Sequence, residues 1–360
     1  MTSTSAEDAA AVGTDQQPHR IVHGGPMHTI GVDVGGTKIA TAVVDDDGAV
    51  LRRARRETPS QDPGGIVAAI GEMVDELRAD HEIAAIGVAA AGFVDKSRST
   101  VVFAPNLAWR DEPLRALVTA RTGLPVVVEN DANAAAWGEF RFGAGRDAED
   151  MVLVTVGTGI GGGIVVDGRL LHGGYGMAAE IGHLRVVPDG RRCGCGNRGC
   201  WEQYGSGNAL ATQARELAAS GAITSHRLLE LAQGRADAIT GQMVTVAASE
   251  GDPAATELLE ELGSWLGEGI ASLAAVLDPE LVVIGGGVSQ AGELVLAPLR
   301  AAFAHHLTGR GHRPLADVVV ARLGNDAGLV GAADLAREAP AGDIPGATRG
   351  VPGAPARNAG

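Results

Sequence analysis

Aromatic residues are scarce in this chain, with five Phe, four Trp and two Tyr making up 3% of the sequence. That argues against an aromatic-rich binding platform. Basic residues are also few. Lys and Arg number 29 against 44 Asp and Glu, for a formal charge of -15. A surface this acidic repels a phosphate backbone, so nucleic acid is not an expected partner, although charge alone leaves room for a local basic site. No apolar run reaches the length that spans a bilayer, so no membrane partner is expected either. The opening residues lack the charged and apolar regions of a signal peptide, and a soluble cytoplasmic protein is expected. The chain has only three cysteines. They cannot all pair within one chain, which excludes a disulfide framework.

Abundant glycine and alanine turn attention to close backbone packing and tight turns. The length of 360 residues suffices for two domains with substantial cores. All the cysteines fall in one run, Cys193-Gly-Cys195-Gly-Asn-Arg-Gly-Cys200, shortly after His183. One imidazole and three thiolates form the ligand set of a closed, four-coordinate structural zinc site. The plainer reading is a glycine-rich turn with free thiols. Glu180 and Glu202 flank the run and place polar chemistry beside the metal.

Residues 1–27 and 339–360 lack sustained apolar periodicity and read as mobile tails. Between them, strand-like and helix-like segments alternate. His28 to Val34, Ile39 to Val44 and Ala49 to Arg55 read as strands, with an acidic turn at Asp45 to Gly48. Ile66 to Leu77 and Pro113 to Thr122 have helical spacing, while Ile83 to Ala90 and Val126 to Glu129 read as buried strands. This alternation favours an α/β domain.

The pattern repeats. Val32-Asp33-Val-Gly35-Gly36-Thr37-Lys38 leads into a second strand and an acidic glycine turn. Val154-Thr-Val-Gly157-Thr158-Gly159-Ile160 does the same and ends at Asp167-Gly168. Each alone could be an ordinary β-hairpin. Together they predict two related domains whose Gly-rich turns offer backbone N–H groups to one anionic ligand. A P-loop is disfavoured because Gly-Gly-Thr-Lys lacks the GxxxxGK[ST] spacing, and a nicotinamide site would need a fuller GxGxxG fingerprint than Gly285-Gly286-Gly287 supplies.

Asp33-Val-Gly-Gly-Thr-Lys38, Glu129-Asn-Asp131-Ala-Asn133, the Thr155 to Gly163 run, the Glu180 to His183 element and the Cys193 to Glu202 cluster occur together and in order. Over about His28 to Ala336 the chain resembles a sugar kinase of the ROK family. With the Ala104 to Trp109 segment, it is most similar to the ATP-dependent glucokinases of actinobacteria. The resemblance implies an α/β, actin-like ATPase (ribonuclease H-like) fold, with two related domains around a cleft and assembly as a homodimer or homotetramer. The expected boundaries are 28–138 for a small domain with the first phosphate loop, and 139–324 for a large domain with the second loop, the zinc motif and the adenosine loop. A helix at 325–338 would return to the small domain.

The resemblance implies that Asp131 is the base accepting the proton of a sugar hydroxyl, and that Asn106, Asn130, Glu180, His183 and Glu202 contact the sugar. Helix capping is the plainer role for Asp131, a loop charge for Glu180 and a helix-start carboxylate for Glu202. Gly35, Gly36, Thr37, Gly157, Thr158 and Gly159 would border the ATP phosphates. Lys38 either neutralises phosphate or snorkels from its strand. Asp33 would hold hydrated Mg²⁺. Gly285, Gly286 and Gly287 would border adenosine, or simply end a strand. The expected reaction is ATP-dependent phosphorylation of D-glucose to glucose 6-phosphate. The alternatives are a kinase for fructose, mannose or an N-acetylhexosamine, and a glucokinase that uses polyphosphate. The family also includes sugar-responsive regulators, but the residues before His28 show no recognition-helix pattern.

Overall fold

The computed structural model describes residues 28–339. The expected tails lie outside this range, apart from Ala339. Two five-stranded mixed sheets dominate. In the first, β1 (His28–Val34), β2 (Lys38–Val44) and β3 (Val50–Glu57) form an antiparallel meander, while β4 (Ile83–Ala90) adds to β1 in parallel. A small antiparallel sheet of β5 (Phe93–Val94), β6 (Val101–Phe103) and β7 (Arg110–Glu112) follows. Then β8 (Val126–Asn130) completes the first sheet in parallel with β4, giving the order β3-β2-β1-β4-β8.

The second sheet repeats that plan. Here β9 (Met151–Val156), β10 (Ile160–Val166) and β11 (Arg169–Leu170) form the meander, and β12 (Leu281–Gly285) and β13 (Asp317–Val320) add in parallel. The hairpin pairs are equivalent, with Val34 opposite Ile39 and Val156 opposite Ile160. The internal echo in the sequence is therefore a structural repeat.

Each sheet has its own core. Ile30, Val32, Ile86 and Val88 of the first pack against α1 (Pro63–Leu77) and α2 (Leu114–Thr122). Helix α1 starts where Asp62 accepts a bond from the Gly65 amide and Pro63 fits the first turn. The corner after β8 starts α3 (Asp131–Phe142). In the second half, α4 (Glu202–Gly205), α5 (Gly207–Ala219), α6 (His226–Leu231), α7 (Gly241–Ser249), α8 (Pro253–Leu277) and α9 (Glu293–His306) accompany the sheet. Helices α8 and α9 approach closely because Gly263 and Gly267 lie against the α9 backbone, where a Cβ would overlap it. Among the described residues no helix is long and apolar enough to cross a membrane.

The last helix, α10 (Ala327–Leu335), returns to the first sheet and crosses α3. Glycine makes this possible. Gly31 of β1 and Gly87 of β4 meet the backbone of α10, while Gly138 and Gly331 let α3 and α10 touch backbone to backbone. Helix α3 also packs on β10, where Gly163 lies against Ala132 and Ala136. Helix α3 thus sits at the junction of the two sheets.

Candidate active site

Strand β8 is buried along Val126 to Glu129 and ends at Asn130. The side-chain oxygen of Asn130 caps α3, accepting from the amides of Ala132 at 2.9 Å and Asn133 at 3.0 Å, while its Nδ2 donates to the Gly92 carbonyl at 3.1 Å. The capping role left open for Asp131 therefore falls to its neighbour. Asp131 is the first helical residue, and its Oδ1 accepts from the Ala132 amide at 2.9 Å. Burial, followed by the nearby Asp33 carboxylate, pushes the Asp131 carboxyl up to about 6; the Ala132 bond opposes this and Glu180 adds to it. A carboxylate at that value is ionised at neutral pH and is a stronger proton acceptor than an ordinary aspartate.

Asp33 reaches this centre from the end of β1, half-buried, and burial raises its carboxyl against the pull of Lys38. Lys38 is exposed at the start of β2. Between them, Gly35, Gly36 and Thr37 turn the first hairpin, closed by the Gly35 amide on the Lys38 carbonyl at 3.0 Å. Asn106 is exposed beside this loop, where a Cβ on Gly36 would come 3.1 Å from its own. Buried Leu107 and Trp109 anchor its segment.

Gly157, Thr158 and Gly159 turn the second hairpin, with the Gly157 amide on the Gly159 carbonyl at 3.0 Å. Its neighbour is the glycine loop after β12. Gly285 pairs with Thr155, Gly286 adopts φ 82° against the backbone of Val156, and Gly287 opens a short 3₁₀ turn. The second glycine hairpin and the expected adenosine loop therefore share one end of the second sheet.

The cysteine run folds back on His183. His183, Cys193, Cys195 and Cys200 place one ligand atom each within 4.8 Å of all the others. Cys193 Sγ lies 3.6 Å from His183 Nδ1, and Cys195 Sγ lies 3.6 Å from Cys200 Sγ. These separations match the edge of a tetrahedron with Zn–S bonds of about 2.3 Å, which is about 3.8 Å. The donor set and its spacing fit a divalent, thiophilic ion. Because Nδ1 faces the cluster, Nε2 is the nitrogen left for another partner. Glu202 joins this cluster to the second hairpin, with Oε1 at 3.0 Å from Cys193 Sγ and Oε2 beside Gly159. Glu180, just before the His183 turn, keeps contact with solvent, yet partial dehydration raises its carboxyl; nearby His183 opposes this and Glu202 adds to it.

A family model described as the ROK family matches residues 29–339. The chain belongs to the ROK family. It is 53% identical over 310 residues to a glucokinase of Streptomyces coelicolor, covering 86% of this chain and 98% of that one. The solved ROK glucokinase of Streptomyces griseus, in complex with glucose and AMPPNP, is 52% identical with a TM-score of 0.78, over 86% of this chain and 99% of that one. The ROK hexokinase of Thermus thermophilus is 36% identical with a TM-score of 0.73, over 87% and 98%. As in its relatives, the paired mixed sheets of this ROK protein form the actin-like ATPase fold of sugar kinases.

One buried constellation was absent from the sequence reading. Glu129, next to Asn130, is 2% exposed. It accepts from Asn133 Nδ2 at 3.1 Å and from the Asn130 amide at 3.0 Å, meets Arg98 Nε at 3.0 Å, and bonds His172 Nε2 at 2.8 Å. These partners outweigh burial and hold the Glu129 carboxyl below its usual range. Its one signal in the sequence was a charged residue closing an apolar strand.

Proposed function

We propose that the chain is an ATP-dependent glucokinase that phosphorylates the 6-hydroxyl of D-glucose. The observation that carries this reading is the place of Asp131 at the start of α3, the helix packed on β10 of the second hairpin, with Asp33 of the first hairpin strand close enough to act on its carboxyl. The glucokinase names and the glucose and AMPPNP complex among its relatives support the same reaction.

In this reading Asp131 accepts the proton of the sugar hydroxyl. The freed electron pair forms the new O–P bond to the γ-phosphorus, and the bond to the bridging oxygen breaks, releasing ADP. The amides of Gly36, Thr37, Thr158 and Gly159 face the phosphates, those of Gly35 and Gly157 closing their own turns, and Gly285 to Gly287 border adenosine. Asp33 would hold Mg²⁺ through water; the hard carboxylate oxygens of Asp33 suit that ion, which neutralises phosphate charge when bound. Asn106, Glu180, His183 Nε2 and Glu202 would take the sugar hydroxyls, with the remaining amide N–H of Asn130 beside them. Zinc held by His183, Cys193, Cys195 and Cys200 would keep no open position and would fix the loop that carries these groups.

The same reading assigns 28–138 and 139–324 to the two lobes of the cleft, with 325–338 returning to the first. It includes a cytoplasmic setting and a homodimer or homotetramer. A coupled assay with glucose, fructose, mannose and N-acetylhexosamines, each with ATP and with polyphosphate, tests it. The highest kcat/KM should come from glucose with ATP. Preference for another sugar or for polyphosphate would overturn that assignment, and inactivity with every pair would overturn the enzyme.

A further inference from the structure

Strand β3 carries Arg52, Arg53, Arg55 and Arg56 in a chain of net charge -15. Charged edge strands discourage sheet-to-sheet pairing, which is reason enough for arginines in general on β3. Their individual placements differ. Arg52 pairs with Asp80, and Arg56 Nη2 lies 2.9 Å from Glu76 Oε2 on α1. On the alternate positions, Arg53 forms a two-pronged pair with Asp326, one prong at 2.7 Å. Arg55 has no side-chain partner among the described residues. It stands opposite Ala40 on β2, whose methyl group leaves space beside it.

That space is a cavity of about 330 Å³, lined by Asp33, Lys38, Arg53, Arg55 and Asn325 among others. Asp33, near the end of β1, and Lys38, at the start of β2, flank the first glycine hairpin. The cavity therefore adjoins that hairpin and is not a remote surface pit. With Arg53 and Asp326 neutralising each other, Lys38 and Arg55 face one carboxylate, Asp33. The surplus is positive, and a planar guanidinium suits the non-bridging oxygens of a phosphate chain.

We propose that Arg55, with Lys38, binds the phosphate chain of the phosphoryl donor in this cavity. The inference rests on the ATP-dependent reading above. Purified full-length protein, R55A, R55K and R56A are compared for ATP KM and kcat, for inhibition by tripolyphosphate and by adenosine, and for glucose affinity by calorimetry. Loss of one exposed charge-assisted contact predicts that R55A raises the ATP KM and the tripolyphosphate inhibition constant about tenfold. Adenosine inhibition and glucose affinity stay unchanged, R55K recovers most of the loss, and R56A matches the parent. An ATP KM and tripolyphosphate constant in R55A within about twofold of the parent overturn the proposal, as does equal weakening of tripolyphosphate and adenosine. If R55A loses glucose binding, R55Q carries the same comparison. Should the parent fail to phosphorylate glucose with ATP, the functional reading falls separately. Direct tripolyphosphate calorimetry then decides Arg55: weaker binding in R55A supports it, and equal or absent binding overturns it.

Discussion

Glu202 and Cys193 meet at 3.0 Å, Oε1 against Sγ, while the other carboxylate oxygen of Glu202 borders Gly159. One side chain therefore links the cysteine cluster to the second glycine hairpin, and disturbance of the cluster should reach the ligand cleft.

Purified protein should accordingly contain about one zinc per chain. Cys195 is exposed, so Cys195→Ser removes a ligand with little loss of packing. It should lose much of the zinc, together with glucose affinity and thermal stability. Elemental analysis and calorimetry check this. Normal zinc with normal glucose binding in the variant would contradict the site.

Glu129→Gln should destabilise the fold by about 1–3 kcal/mol at pH 7, because the buried Glu129 charge that meets Arg98 and His172 is removed, while half-buried Arg98 keeps its pair with Glu338. The folded-state carboxyl lies below its usual range. Its stabilisation is therefore complete above the unfolded value and is lost as pH falls through the lower folded one. Urea unfolding of parent and variant should show a gap that narrows below about pH 4. A pH-independent gap would show that ionisation of Glu129 is irrelevant.

Asp33→Ala should impair use of Mg-ATP more than glucose binding. It also removes a negative neighbour of Asp131, so the acidic limb of the rate profile should move to lower pH. Unchanged turnover with ATP and Mg²⁺ would remove Asp33 from the nucleotide site.

Asp131 itself should cost stability. Its folded carboxyl is near 6, above the ordinary aspartate value of 3.8. The folded state binds more protons than the unfolded one between those values, so this contribution to stability falls as pH rises from about 4 to 6. Above pH 6, Asp131→Asn should be more stable than the parent by about 1–3 kcal/mol, allowing for solvent screening. Denaturant titrations at pH 5 and 8 measure the change. Equal stability at pH 8 would mean that the carboxylate is not strained.

The hairpins were legible because glycine-rich turns separate short apolar strands twice, and the metal set because it uses every cysteine. The crossing of α3 and α10 was not legible. It depends on Gly31, Gly87, Gly138 and Gly331 each meeting a distant backbone, and no periodicity marks such meetings. Arg98, Glu129 and His172 are likewise remote in sequence and meet only in the fold. Capping was the plainer role for Asp131 because aspartate favours that position, and Asn130 was read only as a sugar contact. Bonds to two helix amides and Gly92 assign it to Asn130.

The central claim is that Asp131 accepts the hydroxyl proton, and single-turnover phosphoryl transfer to glucose by Asp131→Asn tests it most directly. The substitution keeps the size and some hydrogen bonding but removes the ionised acceptor. The parent rate should fall off below about pH 6, and the variant should be slower by about 10²- to 10⁴-fold with glucose still bound in calorimetry. Near-normal transfer by folded Asp131→Asn would contradict the claim.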